Sequence, residues 1–315
     1  MRKAIVTGAT GFIGSHFVSF LLKSGIDVLA LGRKPFNILS DKKRIKLEGS
    51  TYLKLDMDKI SCINEEISKL EWDVSDDCVF FNLAWGGVDH LSDMNVEAQL
   101  DNVIWVEAAL EAASKIGCIR FIQIGTMEEA FTYRYLELDY QLNNEYNRHV
   151  IYSVAKIAAK HTLQLKSSKL GMDFIYVLHS HVMGDDDDKD SFLQVTLQKL
   201  ISKEDLVFST GEQIFDVISL EDCANGYFLI GQRGLSGSEY WVGSGNPCRL
   251  REYVERMYSL FPSGKEMQFG KLPYNDIVLK REDFSIKLLS EHTGYIPSMS
   301  YEETVRSLHE SLSKH

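Results

Sequence analysis

Thr7-Gly8-Ala9-Thr10-Gly11-Phe12-Ile13-Gly14 follows a short apolar run, Lys3 to Val6, and leads into a stretch with helical apolar spacing. Glycines punctuate many turns. A strand, a turn with glycines at positions 8, 11 and 14, and then a helix is a narrower pattern. Gly8 permits a tight exit from the strand, Gly11 lets backbone approach a pyrophosphate, and Gly14 lets the helix sit close to the sheet. The free amides and the positive end of the helix dipole then hold phosphate. The stretch predicts a dinucleotide-binding turn with Gly8, Thr10, Gly11, Phe12, Ile13 and Gly14 lining the cofactor site.

Outward from this turn, β-rich runs alternate with helical periodicity. KAIVT, DVLAL, TYLKL, CVFFNLA, IRFIQIG and DFIYVL are separated by stretches such as Ala98 to Lys115 and Ser153 to Leu170. Alternation of this kind builds a parallel sheet covered by helices, and the continuous apolar run CVFFNLA fits a strand buried on both faces. The predicted class is α/β: a Rossmann doubly wound parallel sheet with a smaller C-terminal substrate-binding region. Residues 1–178 are expected to form the dinucleotide-binding domain, rejoined by a segment near 213–235, and residues 179–315 mainly the substrate-binding region, where glycine clusters break up the pattern. Ligands of open α/β sheets bind beyond the carboxyl ends of the strands, so the chemistry is sought there.

Composition narrows the partners. The chain has 315 residues, 44% of them hydrophobic, enough for a sizeable core. A formal net charge of −11 argues against nucleic acid or an anionic membrane surface as a partner. The five cysteines are scattered without a CxxC pair, which suggests neither a disulfide framework nor a zinc site. No apolar run has the length of a membrane span and the first strand starts at Lys3, so a cytoplasmic protein without a signal peptide is expected. No metal site is expected. The Asp185 to Asp188 run is read as solvated, since consecutive carboxylates do not converge on a cation without a special loop.

Tyr152-Ser-Val-Ala-Lys156 puts a phenol and an ammonium on one face of a helix. A neighbouring cation, together with an oxidised nicotinamide, would favour the phenolate of a group whose ordinary pKa is about 10. Such a group could exchange a proton with a sugar or alcohol oxygen. Thr126 ends the strand FIQIG, where its hydroxyl could share that oxygen. The glycine turn, Asn82-Leu-Ala, Thr126 and YxxxK, in this order, resemble the extended short-chain dehydrogenase/reductases, in particular their NAD-dependent epimerase/dehydratase branch acting on nucleotide sugars. His181-Val-Met-Gly184, Gly211 to Asp222 and Tyr240-Trp-Val-Gly-Ser-Gly245 extend the resemblance over nearly the whole chain. The resemblance implies a catalytic set of Thr126, Tyr152 and Lys156. Tyr152 would be the acid/base, Lys156 would also bond the nicotinamide ribose, and Thr126 would orient the reacting oxygen.

The end of the second strand bears on cofactor choice. An acidic residue there would accept from a ribose 2′-hydroxyl, but Arg33 and Lys34 stand in its place. Guanidinium can bond a 2′-phosphate and stack on adenine, so NADP(H) is favoured over NAD(H). By resemblance Asp56 meets the adenine amino group; as a helix cap it would have a purely structural task. Met57, Leu83, Ala84 and Trp85 complete the expected cofactor contacts.

Some positions depart from the family pattern. Phe215 precedes Asp216 where relatives often carry a diphosphate-binding Arg, and His181 stands where they often carry Asn. Arg249, Lys280 and Arg281 are the remaining candidate cations for a diphosphate. Met127 replaces the first acid of the pair that follows the threonine in elimination enzymes, while Glu128 stands where their Glu would; alternatively Glu129 shapes the site as in a GT-x-x-E run of sugar 4-ketoreductases. Trp85, Met127, Glu128, Glu129, His181, Arg249 and Arg281 are the expected substrate contacts. The resulting expectation is NADPH-dependent reduction of an NDP-4-keto-6-deoxyhexose at C4. A 4-epimerase or 4,6-dehydratase is the alternative within this class, and a non-catalytic dinucleotide-sensing regulator the alternative outside it. By the same resemblance, helices around Asn95 to Lys115 and Arg148 to Ser168 would pair two subunits into a homodimer.

Overall fold

The computed structural model describes residues 1–75, 77–87, 95–136, 150–185, 191–273 and 278–313. Arg148 and Asp186 to Asp188, which carry parts of the expectations above, lie outside the described residues. The strands are β1 (Lys3–Thr7), β2 (Asp27–Gly32), β3 (Thr51–Lys54), β4 (Cys78–Asn82), β5 (Arg120–Ile124), β6 (Asp173–His179), β7 (His181–Met183), β8 (Leu206–Val207), β9 (Ile214–Phe215), β10 (Val217–Ser219), β11 (Glu239–Val242), β12 (Cys248–Arg249) and β13 (Met267–Gln268). The helices are α1 (Phe12–Lys23), α2 (Asp41–Leu47), α3 (Ile63–Ile67), α4 (Val96–Lys115), α5 (Glu128–Leu136), α6 (Val150–Leu170), α7 (Phe192–Ile201), α8 (Leu220–Arg233), α9 (Leu250–Leu260), α10 (Lys287–Thr293) and α11 (Tyr301–Leu312).

Seven strands form one parallel sheet in the order β11-β6-β5-β4-β1-β2-β3. This is the doubly wound arrangement, in which the chain leaves β1 in one direction for β2 and β3 and in the other for β4 to β6. The apolar runs at β1 to β6 are the sheet strands the sequence predicts. The edge strand β11 lies in the Tyr240-Trp-Val-Gly stretch, outside those runs. Every residue of β4 is buried, because helices cover both faces of the sheet.

One face packs Phe17 and Leu21 of α1 with Tyr227 and Ile230 of α8; the other packs Val106 and Leu110 of α4 with Ala159 and Leu163 of α6. A smaller core joins Leu193 and Leu197 of α7, Tyr253 and Met257 of α9, and Val305 and Leu308 of α11. Buried carboxylates stitch the C-terminal segments to the rest. Asp222 accepts from the Ser298 and Met299 amides at 2.8 and 2.9 Å, and Asp216 accepts from the Ser244 amide at 2.9 Å and the Ser180 and Ser244 hydroxyls. No helix among the described residues is long and apolar enough to cross a membrane.

Candidate active site

The site begins where β1 and β4 end side by side. Gly8 has φ +66°, and a Cβ built there would lie 2.9 Å from the Ala84 amide nitrogen of the loop after β4. A Cβ on Gly14 would lie 2.1 Å from the Gly8 carbonyl oxygen, so helix α1 starts against the turn itself. Gly11 is exposed, has no positive φ, and among the described residues its Cβ would meet the Gly8 oxygen alone, at 3.2 Å. A side chain there would fill the space in front of the turn, where the α1 amides and dipole favour a phosphate. The cradle therefore fits a dinucleotide. Phe12 and Ile13 pack on the core under it.

At the end of β2, a Cβ on Gly32 would fall 2.3 Å from the Tyr52 hydroxyl and 2.7 Å from the Thr10 methyl. Tyr52 thus packs into the space a side chain at Gly32 would need, just before Arg33 and Lys34, and its hydroxyl donates to the Lys34 carbonyl at 2.6 Å. Arg33 and Lys34 are exposed beyond it. Asp56 accepts from the Met57 amide at 2.8 Å and so caps the short helix that follows, while Met57 packs on the core beneath.

A buried polar chain crosses the strand tips. The Thr7 hydroxyl donates to Asn82 at 2.5 Å, the Asn82 amide to Gln123 at 2.7 Å, and the Gln123 amide to the Ile124 carbonyl at 3.0 Å. The same carbonyl accepts from Lys156 Nζ at 3.1 Å. Lys156 lies over the Trp85 ring, 4.3 Å from its centroid, and Trp85 meets the Tyr152 ring edge-on at 6.2 Å. Trp85 is itself fixed, its indole donating to Gln99 at 2.8 Å, while Gln99 and Asn102 of α4 bond the carbonyls of Gly86 and Gly87. Leu83 packs on the core behind this loop.

Thr126 sits at the tip of β5 with its hydroxyl acting on the Tyr152 phenol as a hydrogen-bonding neighbour. Phenol, hydroxyl and ammonium, expected from positions 126, 152 and 156, are thus brought together. The Lys156 ammonium faces the Tyr152 ring, 5.5 Å from its centroid, and bonds the Ile124 carbonyl. Burial pushes Tyr152 above its ordinary value, Thr126 opposes this, and the charges of Glu128 and Glu129 add to it. These surroundings favour the protonated phenol, and a positive charge placed beside it would favour the phenolate.

The two glutamates differ. Glu128 is partly exposed, with its amide 3.4 Å from the Thr126 hydroxyl. Glu129 is fully buried, accepting from the Thr126 amide at 3.0 Å and the Tyr176 hydroxyl at 2.9 Å. A Cβ on Gly125 would sit 2.5 Å from its Oε1, so the glycine makes room for the carboxyl. Burial pushes Glu129 up to about 7 and pulls Lys156 down to about 8, each opposed by the other's charge. Met127 packs on the core.

Among the other expected contacts, the His181 ring lies tilted against Phe215 with centroids 5.5 Å apart, and its buried Nε2 has no partner among the described residues. Burial pulls both His181 and His179 down to about 4, so both are neutral. Arg249 is held on the surface by Glu252 at 2.8 Å and Glu212 at 3.2 Å. Arg281 donates to the Pro247 carbonyl, and the Lys280 amide to Asp283 at 2.7 Å. Tyr52, Gln99, Asn102, Gln123, Tyr176 and His179 were not singled out from sequence. Gln123 alone left a local signal, a polar residue inside an apolar strand.

The family model described as the NAD dependent epimerase/dehydratase family matches residues 4–243. The chain belongs to this family. The epimerase/dehydratase chain is 24% identical to CDP-abequose synthase of Salmonella typhimurium over 96% of both chains, and 20% identical to dTDP-glucose 4,6-dehydratase of Haemophilus influenzae over 97% of this chain and 96% of that one. Its fold matches the UDP-glucose 4-epimerase of Thermotoga maritima, solved with UDP-glucose, with a TM-score of 0.78, 18% identity and 99% of both chains covered. It is an NAD-dependent-type enzyme of the extended short-chain dehydrogenase/reductase class.

Proposed function

We propose that the protein reduces the 4-keto group of a nucleotide-diphosphate 4-keto-6-deoxyhexose to the alcohol, with NADPH as cofactor. The observation that carries this reading is the half-buried Tyr152 phenol set against Trp85 and Lys156 at the strand tips, where its surroundings favour the protonated form, together with the absence of an elimination acid at Met127. Reduction of a ketone needs one proton donor at the oxygen; loss of water needs an acid and a base. Tyr152 supplies the donor, with Thr126 bonding the same oxygen. Glu129, the nearer of the two glutamates to the core, is committed to Thr126 and Tyr176. The bound nicotinamide supplies the hydride. The glycine cradle and α1 amides hold the pyrophosphate, and Lys156 and Trp85 border the site of the nicotinamide ribose. The matched relatives' names, which carry CDP and dTDP sugars, support a nucleotide sugar as substrate.

NADPH is favoured because Arg33 and Lys34 stand where a ribose-binding acid would, and Tyr52 holds the turn that presents them. Michaelis constants on wild type and Arg33→Ala test this. Wild type should favour NADPH and the variant should lose that preference; equal constants in wild type would remove the argument.

A 4-epimerase or 4,6-dehydratase is the second reading, favoured by Glu128 close to Tyr152 and by the names of two similar proteins. Such enzymes recycle their nicotinamide, whereas a reductase releases it each turnover. An absorbance spectrum of the purified protein separates them: tightly retained NAD, with no substrate-dependent loss at the reduced-nicotinamide band, would refute the reductase.

A homodimer is part of the proposal. Val96, Leu100 and Ile104 on α4, and Val154 and Leu165 on α6, are exposed apolar side chains on two helices packed side by side. Light scattering at micromolar concentration should give twice the chain mass.

A further inference from the structure

Glu129 is wholly buried, yet one of its two carboxyl oxygens has no hydrogen-bond partner among the described residues. Its Oε1 takes the Thr126 amide and the Tyr176 hydroxyl, bonds that a neutral acid or an amide would keep equally well. Neither bond requires a charge. A buried carboxylate without a compensating cation is costly. Two ammonium groups act on it. Lys160 is already bonded to Glu239 at 2.9 Å, whereas the acceptors around Lys156 are the neutral Ile124 carbonyl and the face of Trp85.

The geometry ties the two together across a single residue. Lys156 Nζ bonds the carbonyl of residue 124, and the Glu129 carboxyl bonds the amide of residue 126. Gly125 between them leaves the Glu129 carboxyl its space, and the Tyr176 hydroxyl, which donates to Glu129 at 2.9 Å, also lies 3.3 Å from the Lys156 backbone carbonyl. We propose that Glu129 is a positioning residue whose buried carboxylate is the counter-charge of Lys156, holding it as an ammonium against the Ile124 carbonyl. This rests on the reading of Lys156 as part of the reaction site. The other titratable groups around the pair are Glu128 and Tyr133 on α5, Tyr152 and Lys160 on α6, Tyr176 and His179 on β6, and Glu239 on β11. His179 is neutral above pH 4 or so and Lys160 is paired with Glu239, which leaves Glu129 as the anion whose charge acts on Lys156.

Glu129→Gln keeps an acceptor for Thr126 and Tyr176 and removes the charge. Lysine Cε resonances of the full-length protein, with Lys156 assigned by their loss in Lys156→Arg, report its titration without any substrate. In Glu129→Gln the Lys156 midpoint should fall by about one pH unit or more, and the alkaline limb of turnover should move the same way. A purely structural glutamate would leave the midpoint unchanged, and that result overturns the proposal. Coupling is reciprocal, so Lys156→Met should raise the midpoint of the Glu129 carboxyl carbon. An unmoved Glu129 midpoint overturns it too, even where Glu129→Gln fails to fold. If the midpoints shift and no 4-keto sugar is reduced, the counter-charge stands and the proposed activity falls.

Discussion

Gly11→Ala and Gly14→Ala add the same methyl three residues apart and should fail in different ways. At position 14 the new carbon would lie 2.1 Å from the Gly8 oxygen, 2.9 Å from the Gly8 carbonyl carbon and 3.2 Å from the Ala9 Cα. All three are backbone atoms, so α1 or the turn must move by more than 1 Å to restore ordinary contact, and the Gly11 amide bond to the same oxygen, 2.9 Å long, is put at risk. Overpacking of this kind costs about 1–3 kcal/mol and the lost bond about 1 kcal/mol. For a chain of this size that is a fall in Tm of about 3–6 °C. At position 11 the methyl meets only one protein atom among the described residues, at 3.2 Å, with φ at −77°. Stability should drop by less than about 1 kcal/mol, the ordinary difference between Gly and Ala as N-cap. The methyl instead occupies the space a pyrophosphate needs, so NADPH affinity should weaken by about 10- to 100-fold, equivalent to about 1.4–2.7 kcal/mol. Thermal melts with and without NADPH, and fluorescence titration of NADPH, separate the two effects. Wild-type affinity in Gly11→Ala would refute the placement of the phosphate at this turn; a wild-type melt for Gly14→Ala would refute the packing argument.

Tyr152→Phe keeps the edge-on contact with Trp85 and removes the proton donor, so cofactor affinity should hold while turnover falls by about 10²–10⁴-fold, or about 3–5 kcal/mol of barrier. Near-normal turnover in that variant would refute the assignment. His181→Asn tests the buried neutral imidazole through acid stability. With a folded pKa of about 4 against an ordinary 6.5, the unfolded chain takes up the proton first, so stability is lost as pH falls from 6.5 towards 4. The variant should flatten the slope of unfolding free energy over that range by at most about 1.4 kcal/mol per pH unit. Glu129, raised to about 7, binds its proton in the folded state and slopes the opposite way from 4.5 to 7, but it is common to both proteins and cancels in the difference. Urea unfolding across pH 4 to 7 reads it, and identical slopes would sink the claim.

What was legible in the sequence is what short stretches decide. Apolar runs with β-rich composition marked β1, β2, β4, β5 and β6 because a strand buried on both faces needs no partner pattern to be recognised, while the half-exposed β3 showed in its β-rich TYLKL run. YxxxK became informative because four residues is one helical turn, which puts Tyr152 and Lys156 on the same side of α6. The seventh strand was missed for the opposite reason. Glu239–Val242 is four residues long and opens on a charge, and it becomes a strand by pairing with β6 more than 60 positions earlier.

The site follows the same division. Glu128 and Glu129 are chemically identical in the sequence, and nothing adjacent says which one goes inside. The choice is made by Tyr176, 47 residues away, whose hydroxyl meets Glu129, and by Gly125, whose missing side chain leaves the carboxyl its space. Arg249 carries the converse lesson: a lone cation in the sequence becomes one already balanced in the fold by Glu212 and Glu252. An exposed pair of this kind is held weakly, by about 0–1 kcal/mol, so a diphosphate could still compete for the guanidinium. The buried Glu129 has no such freedom. Moving its carboxyl would strand the Tyr176 hydroxyl and the Thr126 amide away from water, which is why the charge it carries, rather than its position, is the quantity left to vary.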